Sequence, residues 1–184
     1  MFWLSENFLN QYYKNMILSH IVAVSKNFVI GNNQELPWKM PEDLRYFHQV
    51  TAGHIVVMGR KNYEANGKAL RNRTNIVITR SESFRPGDAI VAGSIDEALR
   101  VAGSYRPEEC FIVGGGEIYR QTLDMVDRIY ITVIDTEVQG DTYYPEIDLS
   151  DYRIISKISK KADAENPFDH TYYIVESGEW RVKS

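Results

Sequence analysis

The chain holds a single cysteine, Cys110, and that scarcity excludes two chemistries at once. One thiol closes no intrachain disulfide and cannot build a multi-cysteine zinc site. Long apolar runs are missing too: none approaches the roughly 20 residues that a membrane-spanning helix needs. Runs of basic residues are absent, and 21 Lys plus Arg stand against 25 Asp plus Glu for a net charge of −4. A mildly acidic, evenly mixed surface speaks against nucleic acid or an anionic membrane as the main partner, although small charged ligands still fit a site of local charge. The four histidines, at positions 20, 48, 54 and 170, lack metal-ligand spacing, so no metal site is expected. There is no Walker loop, no G-x-S-x-G elbow and no Cys/His pair beside a nucleophile. A reducing cytoplasm is the expected location.

What remains is enough for one well-filled domain. A chain of 184 residues hides roughly 70% of its unfolded surface on folding, so it needs no staple. The first residues carry no cation before Lys14 and no apolar centre, which is not the pattern of a secretory signal. Residues 1–15 read as an appendage, with Met16 an equally good start for a single domain over 16–184.

From Leu18 onward, short β-branched runs alternate with helical patterns. His20–Val24, His54–Met58, Asn75–Thr79, Ala89–Ala92 and Cys110–Val113 have the length and composition of buried strands. Pro41 suits the first position of a helix carrying Asp43, Leu44, Phe47 and Val50, Ser94-Ile-Asp-Glu97 forms a capping box, and a further helix is expected from Gly116 through Leu123. After Leu123, Arg128–Asp135, Tyr152–Ser159 and Thr171–Glu176 read as strands with no helix between them, which favours antiparallel pairing. The expected architecture is a mostly parallel three-layer α/β sheet with an antiparallel C-terminal edge. Ligands of such sheets bind beyond the carboxyl ends of the strands.

Three constellations sit at those ends. The strand Cys110–Val113 runs into Gly114-Gly115-Gly116, where backbone could approach a phosphate at a helix N-terminus; a plain tight turn is the alternative. Gly59-Arg60-Lys61-Asn62 and Thr79-Arg80 gather three cations at two neighbouring strand ends, as a phosphate monoester such as the 2′-phosphate of NADP would require, or else as solvated surface charge. Third comes the polar loop Ile30–Trp38, followed by Asp43. On a helix Asp43, Leu44 and Phe47 share a side, which places a carboxylate in an apolar wall facing a cationic or amide-bearing ligand; a first-turn carboxylate favoured by the helix dipole is the bland alternative.

In order along residues 16 to 177, these segments closely resemble the dihydrofolate reductase family of the bacterial chromosomal type. The strings that carry the resemblance are Val29-Ile-Gly with Leu36-Pro-Trp38, Pro41-x-Asp43-Leu44-x-x-Phe47, Val57-Met-Gly-Arg-Lys61, Arg73-x-Asn75-Ile-Val, Val113-Gly-Gly-Gly116 with Tyr119, and Glu137-x-x-Gly-Asp-Thr142. The resemblance implies the three-layer dihydrofolate-reductase-like fold and NADPH-dependent reduction of 7,8-dihydrofolate, with hydride reaching C6 and a proton N5. It makes Asp43 the ionisable group at the pterin, with Thr132 supporting it and Trp38 holding a water. Ile21, Leu44, Phe47, Leu70 and Val113 would wall the folate, Arg73 would clamp the α-carboxylate of its glutamate, and Lys68 and Tyr119 complete the substrate set.

For NADPH the resemblance implies Ala23, Val29, Ile30, Gly31, Asn32, Asn33, Gln34 and Glu35; Gly59, Arg60, Lys61 and Asn62; Thr79 and Arg80; and Gly114, Gly115, Gly116, Glu117, Ile118, Tyr119 and Gln121. It further implies a cis bond between Gly114 and Gly115, a monomer, a mobile lid over Ile30–Trp38, and inhibition by antifolates such as methotrexate and trimethoprim. Three positions depart from the pattern: Asn66 where an apolar residue is usual, Arg71 in place of proline, and Glu117 where a basic or neutral residue is usual. Two other readings compete. One is a reductase of riboflavin biosynthesis with the same fold, the other a catalytically silent nucleotide-binding module.

Overall fold

The computed structural model describes residues 16–177; the appendage expected over residues 1–15 lies outside the described residues. In chain order the elements are β1 (Ile17–Ser25), β2 (Val29–Gly31), α1 (Pro41–Thr51), β3 (Ile55–Gly59), α2 (Arg60–Asn66), β4 (Thr74–Ile78), β5 (Ile90–Ala92), α3 (Ile95–Ser104), β6 (Glu109–Ile112), α4 (Gly116–Thr122), β7 (Arg128–Ile134), β8 (Thr142–Tyr143), β9 (Tyr152–Lys160) and β10 (His170–Ser177). A single 3-10 turn, Leu149–Asp151, interrupts the otherwise helix-free stretch after α4.

Eight strands form one sheet in the order β5-β4-β3-β6-β1-β7-β10-β9. Every pair from β5 to β7 is parallel, while β10 runs antiparallel between β7 and the outermost strand β9. The parallel strands are apolar on both faces because helices cover both. Ile55, Val57, Ile76 and Ile112 pack on the face of α3 and α4, with Ala98, Leu99 and Ile118. Their neighbours in sequence, Val56, Met58, Val77 and Phe111, pack on the opposite face with Phe47 and Val50 of α1 and Tyr63 of α2. That strict alternation makes three layers, and each fully buried Val or Ile contributes about 1.5–3 kcal/mol.

Local signals explain the helix ends. The Ser94 hydroxyl accepts from Glu97 N–H at 3.1 Å, and Glu97 Oε2 accepts from Gly93 N–H at 2.8 Å, so the capping box is reciprocal with a one-residue offset. Helix α1 opens on Pro41 without a side-chain cap of its own. Asn166 supplies one from the β9–β10 loop, accepting from Glu42 N–H at 2.9 Å; Asn166 is buried and held by Asp163.

Part of the polar loop expected over Ile30–Trp38 is a small hairpin. Val29–Gly31 pairs with Thr142–Tyr143 of β8, and Asn32 and Glu35 exchange backbone hydrogen bonds at 2.9 and 3.0 Å across a turn with positive φ at Asn33 and Gln34. Asparagine tolerates that left-handed backbone better than most residues. Gly140 must be glycine here, because a Cβ would run into Val29 and the Gly31 carbonyl.

Candidate active site

The first turn of α1 carries Asp43 to the middle of β7, where the Thr132 hydroxyl is near enough to favour its ionised carboxylate. Both residues are almost fully buried, at 8% and 2% exposure. Burial raises the Asp43 pKa above the ordinary carboxylate range, and the nearby Thr132 hydroxyl and His170 oppose that rise. His170 reaches this position from β10: its Nδ1 bonds the Phe168 carbonyl at 3.1 Å and its Nε2 the Tyr172 hydroxyl at 3.1 Å, with Glu42 at 3.6 Å. Sequence reasoning did not single out His170, Tyr172 or Asn166. All three lie more than 100 residues from Asp43, and no local motif marks them.

The expected folate wall comes together in part. Ile21, Phe47, Leu70 and Val113 belong to one apolar cluster, whereas Leu44 is 46% exposed. Trp38 packs with Met40, Ile134, Ala23 and Phe168, and its buried indole N–H has no hydrogen-bond partner among the described residues. A buried donor of this kind calls for a water or a ligand acceptor.

Beyond Leu70 the guanidinium of Arg73 is fixed on several sides. It donates to Thr51 Oγ1 at 2.8 Å, to the Arg71 carbonyl at 2.6 Å, and to the His48 carbonyl and Nδ1 at 3.1 and 3.0 Å. It also lies 5.6 Å from the Phe47 ring centroid. Arg73 and Lys68 line a cavity of about 390 Å³.

Tyr119 lies behind the cleft and does not line it. Only 4% exposed, it donates its hydroxyl to the Ile21 carbonyl at 2.6 Å, and its ring packs edge-on against His20 and Tyr144. The resemblance implies ligand contact for Tyr119; its side chain is buried in the core. Ile118 is likewise buried, against Gly59. His20 joins this interior network, bonding Tyr144 and Thr122 at 2.8 Å each, and burial pushes its pKa down to about 3. Burial, with Glu109 adding to it, pushes the Cys110 thiol up to about 12, so it is an inert core residue.

The glycine loop stands at the end of β6, and the Gly114–Gly115 bond is cis. At Gly114, with φ +98°, a Cβ would come within 2.6 Å of the Tyr119 ring. At Gly115 a Cβ would meet nothing within 4 Å, and at Gly116 it would approach the Tyr143 carbonyl to 2.8 Å. The loop is thus closed from below by Tyr119, closed on one side by β8, and open above Gly115. Asn62 ties it to α2, donating to the Val113 carbonyl at 2.8 Å, and Gly59 N–H reaches the Gly114 carbonyl at 2.7 Å.

The parallel register that sets Gly59 opposite Ile78 places Arg60 and Lys61 beside the Thr79-Arg80 end of β4. Arg60 bonds Glu64 at 2.7 Å and covers the Phe84 ring; Lys61 and Arg80 are exposed. Glu117 is turned to solvent and tied to Arg120 and Gln121. Ala23, Val29, Ile30 and Gly31 are at least partly buried, and Asn32, Asn33, Gln34 and Glu35 are exposed on the hairpin tip. Asp141 latches that tip, accepting from Asn33 N–H at 2.9 Å.

The dihydrofolate reductase family model matches residues 17–177. The chain belongs to the dihydrofolate reductase family. It is 37% identical over 160 residues to the dihydrofolate reductase of Bacillus subtilis (strain 168), covering 87% of this chain and 94% of that protein. It is 38% identical over 160 residues to that of Haemophilus influenzae, covering 87% and 98%. Among solved structures, the dihydrofolate reductase from Enterococcus faecalis complexed with NADP(H) and RAB-propyl superposes with a TM-score of 0.82 at 31% identity, over 89% of this chain and 97% of that one.

The residues present fit the cofactor of a dihydrofolate reductase. The space above Gly115 is one that a side chain would fill, and it admits close approach of a diphosphate to backbone. Arg60, Lys61 and Arg80 gather three cations one strand end away. Among the described residues no group of His, Cys, Asp or Glu could hold a metal, and no helix is long and apolar enough to cross a membrane.

Proposed function

We propose that this chain reduces 7,8-dihydrofolate to 5,6,7,8-tetrahydrofolate with NADPH, and that Asp43 holds and activates the pterin. The observation that carries this reading is a buried carboxylate, with the Thr132 hydroxyl beside it, at the edge of an apolar cluster that contains Ile21, Phe47, Leu70 and Val113. A carboxylate in that setting is costly unless a ligand satisfies it. The N3–H and 2-amino group of a pterin offer two adjacent donors, which suits the two oxygens of Asp43.

Residues Gly114, Gly115 and Gly116, with Arg60, Lys61 and Arg80, would hold NADPH, whose nicotinamide supplies the hydride for C6 of the pterin when bound. Positioning the two rings is the protein's main contribution to the rate. Asp43 polarises the pterin and raises the basicity of N5, while solvent delivers the proton. Trp38 directs its unpartnered N–H to a water on that route. Arg73 takes the α-carboxylate of the glutamate tail, its guanidinium already oriented by Thr51 and His48. The Ile30–Trp38 segment, latched by Asp141, excludes water from the nicotinamide, and its opening contributes to product release.

Antifolates such as methotrexate and trimethoprim, which carry a 2,4-diamino pyrimidine edge, would compete with substrate at Asp43, and the protein would act as a cytoplasmic monomer. The experiment is the loss of NADPH absorbance on adding dihydrofolate, repeated with methotrexate and with the phosphorylated ribosylaminopyrimidine of riboflavin synthesis. Oxidation with dihydrofolate alone, abolished by methotrexate, is expected. No oxidation with dihydrofolate overturns the reading.

A further inference from the structure

On the α3 and α4 face of β1 the alternate residues are Leu18, His20, Val22 and Val24. Three are apolar and need no partner; the fourth is an imidazole with no exposure at all. A polar ring buried there costs stability unless both nitrogens are satisfied. Two residues more than 100 positions away satisfy them. Nδ1 meets the Tyr144 hydroxyl and Nε2 the Thr122 hydroxyl, each at 2.8 Å. Tyr144 and Thr122 are themselves buried, and none of the three belongs to the substrate or cofactor set described above.

The directions of these bonds follow from Thr122. Its single hydroxyl proton goes to the Ile118 carbonyl at 2.7 Å, so Thr122 Oγ1 accepts from His20 Nε2–H. Nδ1 is then unprotonated and accepts from the Tyr144 hydroxyl, which makes the ring a neutral imidazole. This chain of bonds joins the two elements that flank the glycine loop. Thr122 ends α4, whose first residue, Gly116, stands so close to β8 that a Cβ would approach the Tyr143 carbonyl to 2.8 Å. Tyr144 follows Tyr143 directly at the end of β8. Between them the Tyr119 ring, which floors Gly114, lies edge-on to His20 at 5.0 Å and to Tyr144 at 5.1 Å. His20 thus ties the last turn of α4 to the strand end on which its first turn rests. With seven residues, α4 is too short to hold its shape and place alone.

We propose that His20 is a positioning residue for the cofactor: by bridging Tyr144 and Thr122 it fixes α4 against β8 and holds the backbone of Gly114, Gly115 and Gly116 in the shape that takes the NADPH diphosphate. This rests on the proposed assignment of that loop to NADPH. The folate wall of Ile21, Phe47, Leu70 and Val113 packs on the opposite face of the sheet. Loss of the bridge therefore weakens one ligand and spares the other.

The test titrates NADPH into the protein without substrate, following the quenching of tryptophan fluorescence, and measures KM for NADPH and for dihydrofolate. It compares the wild type with His20→Leu, His20→Gln and Tyr144→Phe; the last keeps the ring, removes only the hydroxyl, and serves if His20→Leu does not fold. From the usual worth of a buried hydrogen bond, Kd and KM for NADPH should rise about ten-fold in His20→Leu and about five-fold in Tyr144→Phe. KM for dihydrofolate should stay within about two-fold of the wild type in both. His20→Gln, whose amide can donate to Thr122 and accept from Tyr144, should recover most of the NADPH affinity. Unchanged NADPH binding in Tyr144→Phe, or a rise shared equally by the two ligands, would overturn the role of His20. Wild-type protein that binds no NADPH would instead overturn the cofactor assignment beneath it.

Discussion

Replacing Asp43 with Asn keeps the volume of the side chain and leaves an oxygen for the Thr132 hydroxyl, but removes the charge. The wild-type carboxylate is almost fully buried, and its ionised form carries the desolvation that raises its pKa. With the charge gone, the pterin loses two charge-assisted hydrogen bonds and the polarisation of N5. A positioned acid or base contributes about 10²–10⁴ in rate, so single-turnover hydride transfer near neutral pH should fall by about 10³, or about 4 kcal/mol in activation free energy.

The pH profile supplies a second readout. In the wild type the rate should decline as pH rises because solvent delivers the N5 proton, and the Asn variant, whose pterin N5 is less basic, should show that decline at lower pH. Stability moves the other way. A carboxyl with a raised folded pKa lends its full stability below the ordinary carboxylate range and loses it as pH rises through the folded value. The Asn variant should therefore melt about 2–4 °C higher near pH 7, the shift expected for about 1 kcal/mol in a domain of this size, and show no advantage at strongly acid pH. Stopped-flow absorbance and thermal melts across pH read both effects. An unchanged hydride-transfer rate at neutral pH, or an unaltered pH midpoint, would refute the role given to Asp43.

Arg73→Ala removes the tail clamp together with its bonds to Thr51, Arg71 and His48; KM for dihydrofolate should rise by about ten- to a hundred-fold, the range for losing a charged hydrogen bond, and rise by more than kcat falls in steady-state kinetics. Asp141→Ala releases the hairpin tip from its Asn33 N–H latch; single-turnover hydride transfer should slow by about ten-fold as the nicotinamide site loosens, while equal single-turnover and steady-state rates in the wild type would contradict gating by this segment. Ser94→Ala deletes the α3 cap and should cost about 1 kcal/mol in chemical denaturation without changing KM for either ligand.

Much of the fold was legible because buried parallel strands announce themselves. The runs around Val22, Val56, Ile76 and Phe111 are β-branched on both faces, and each helix boundary near Pro41, Ser94 and Gly116 carries a local cap or break. The sequence reads Ile30–Trp38 as a polar loop, and the strand Val29–Gly31 at its start leaves no mark there because its partner β8 lies more than 100 residues away and consists of two residues. The site divides in the same way. Asp43 and Thr132 are brought together by the pairing of β1 with β7 and by the packing of α1. Tyr119 enters the expected site only through the resemblance, and its burial against His20 and Tyr144, with its hydroxyl on the Ile21 carbonyl, depends on contacts that no local motif marks. Asn166 and His170 escaped notice because a cap supplied from a distant loop, or a histidine packed behind a carboxylate, leaves no trace in the neighbouring sequence.

The central claim, hydride delivery to a pterin held by Asp43, is tested most directly by reacting 7,8-dihydrofolate with NADPH dideuterated at nicotinamide C4 and recording the NMR spectrum of the product. One deuterium at C6 of tetrahydrofolate, with a solvent-derived proton at N5, is the predicted result. Absence of tetrahydrofolate, or product without deuterium at C6, would contradict the account.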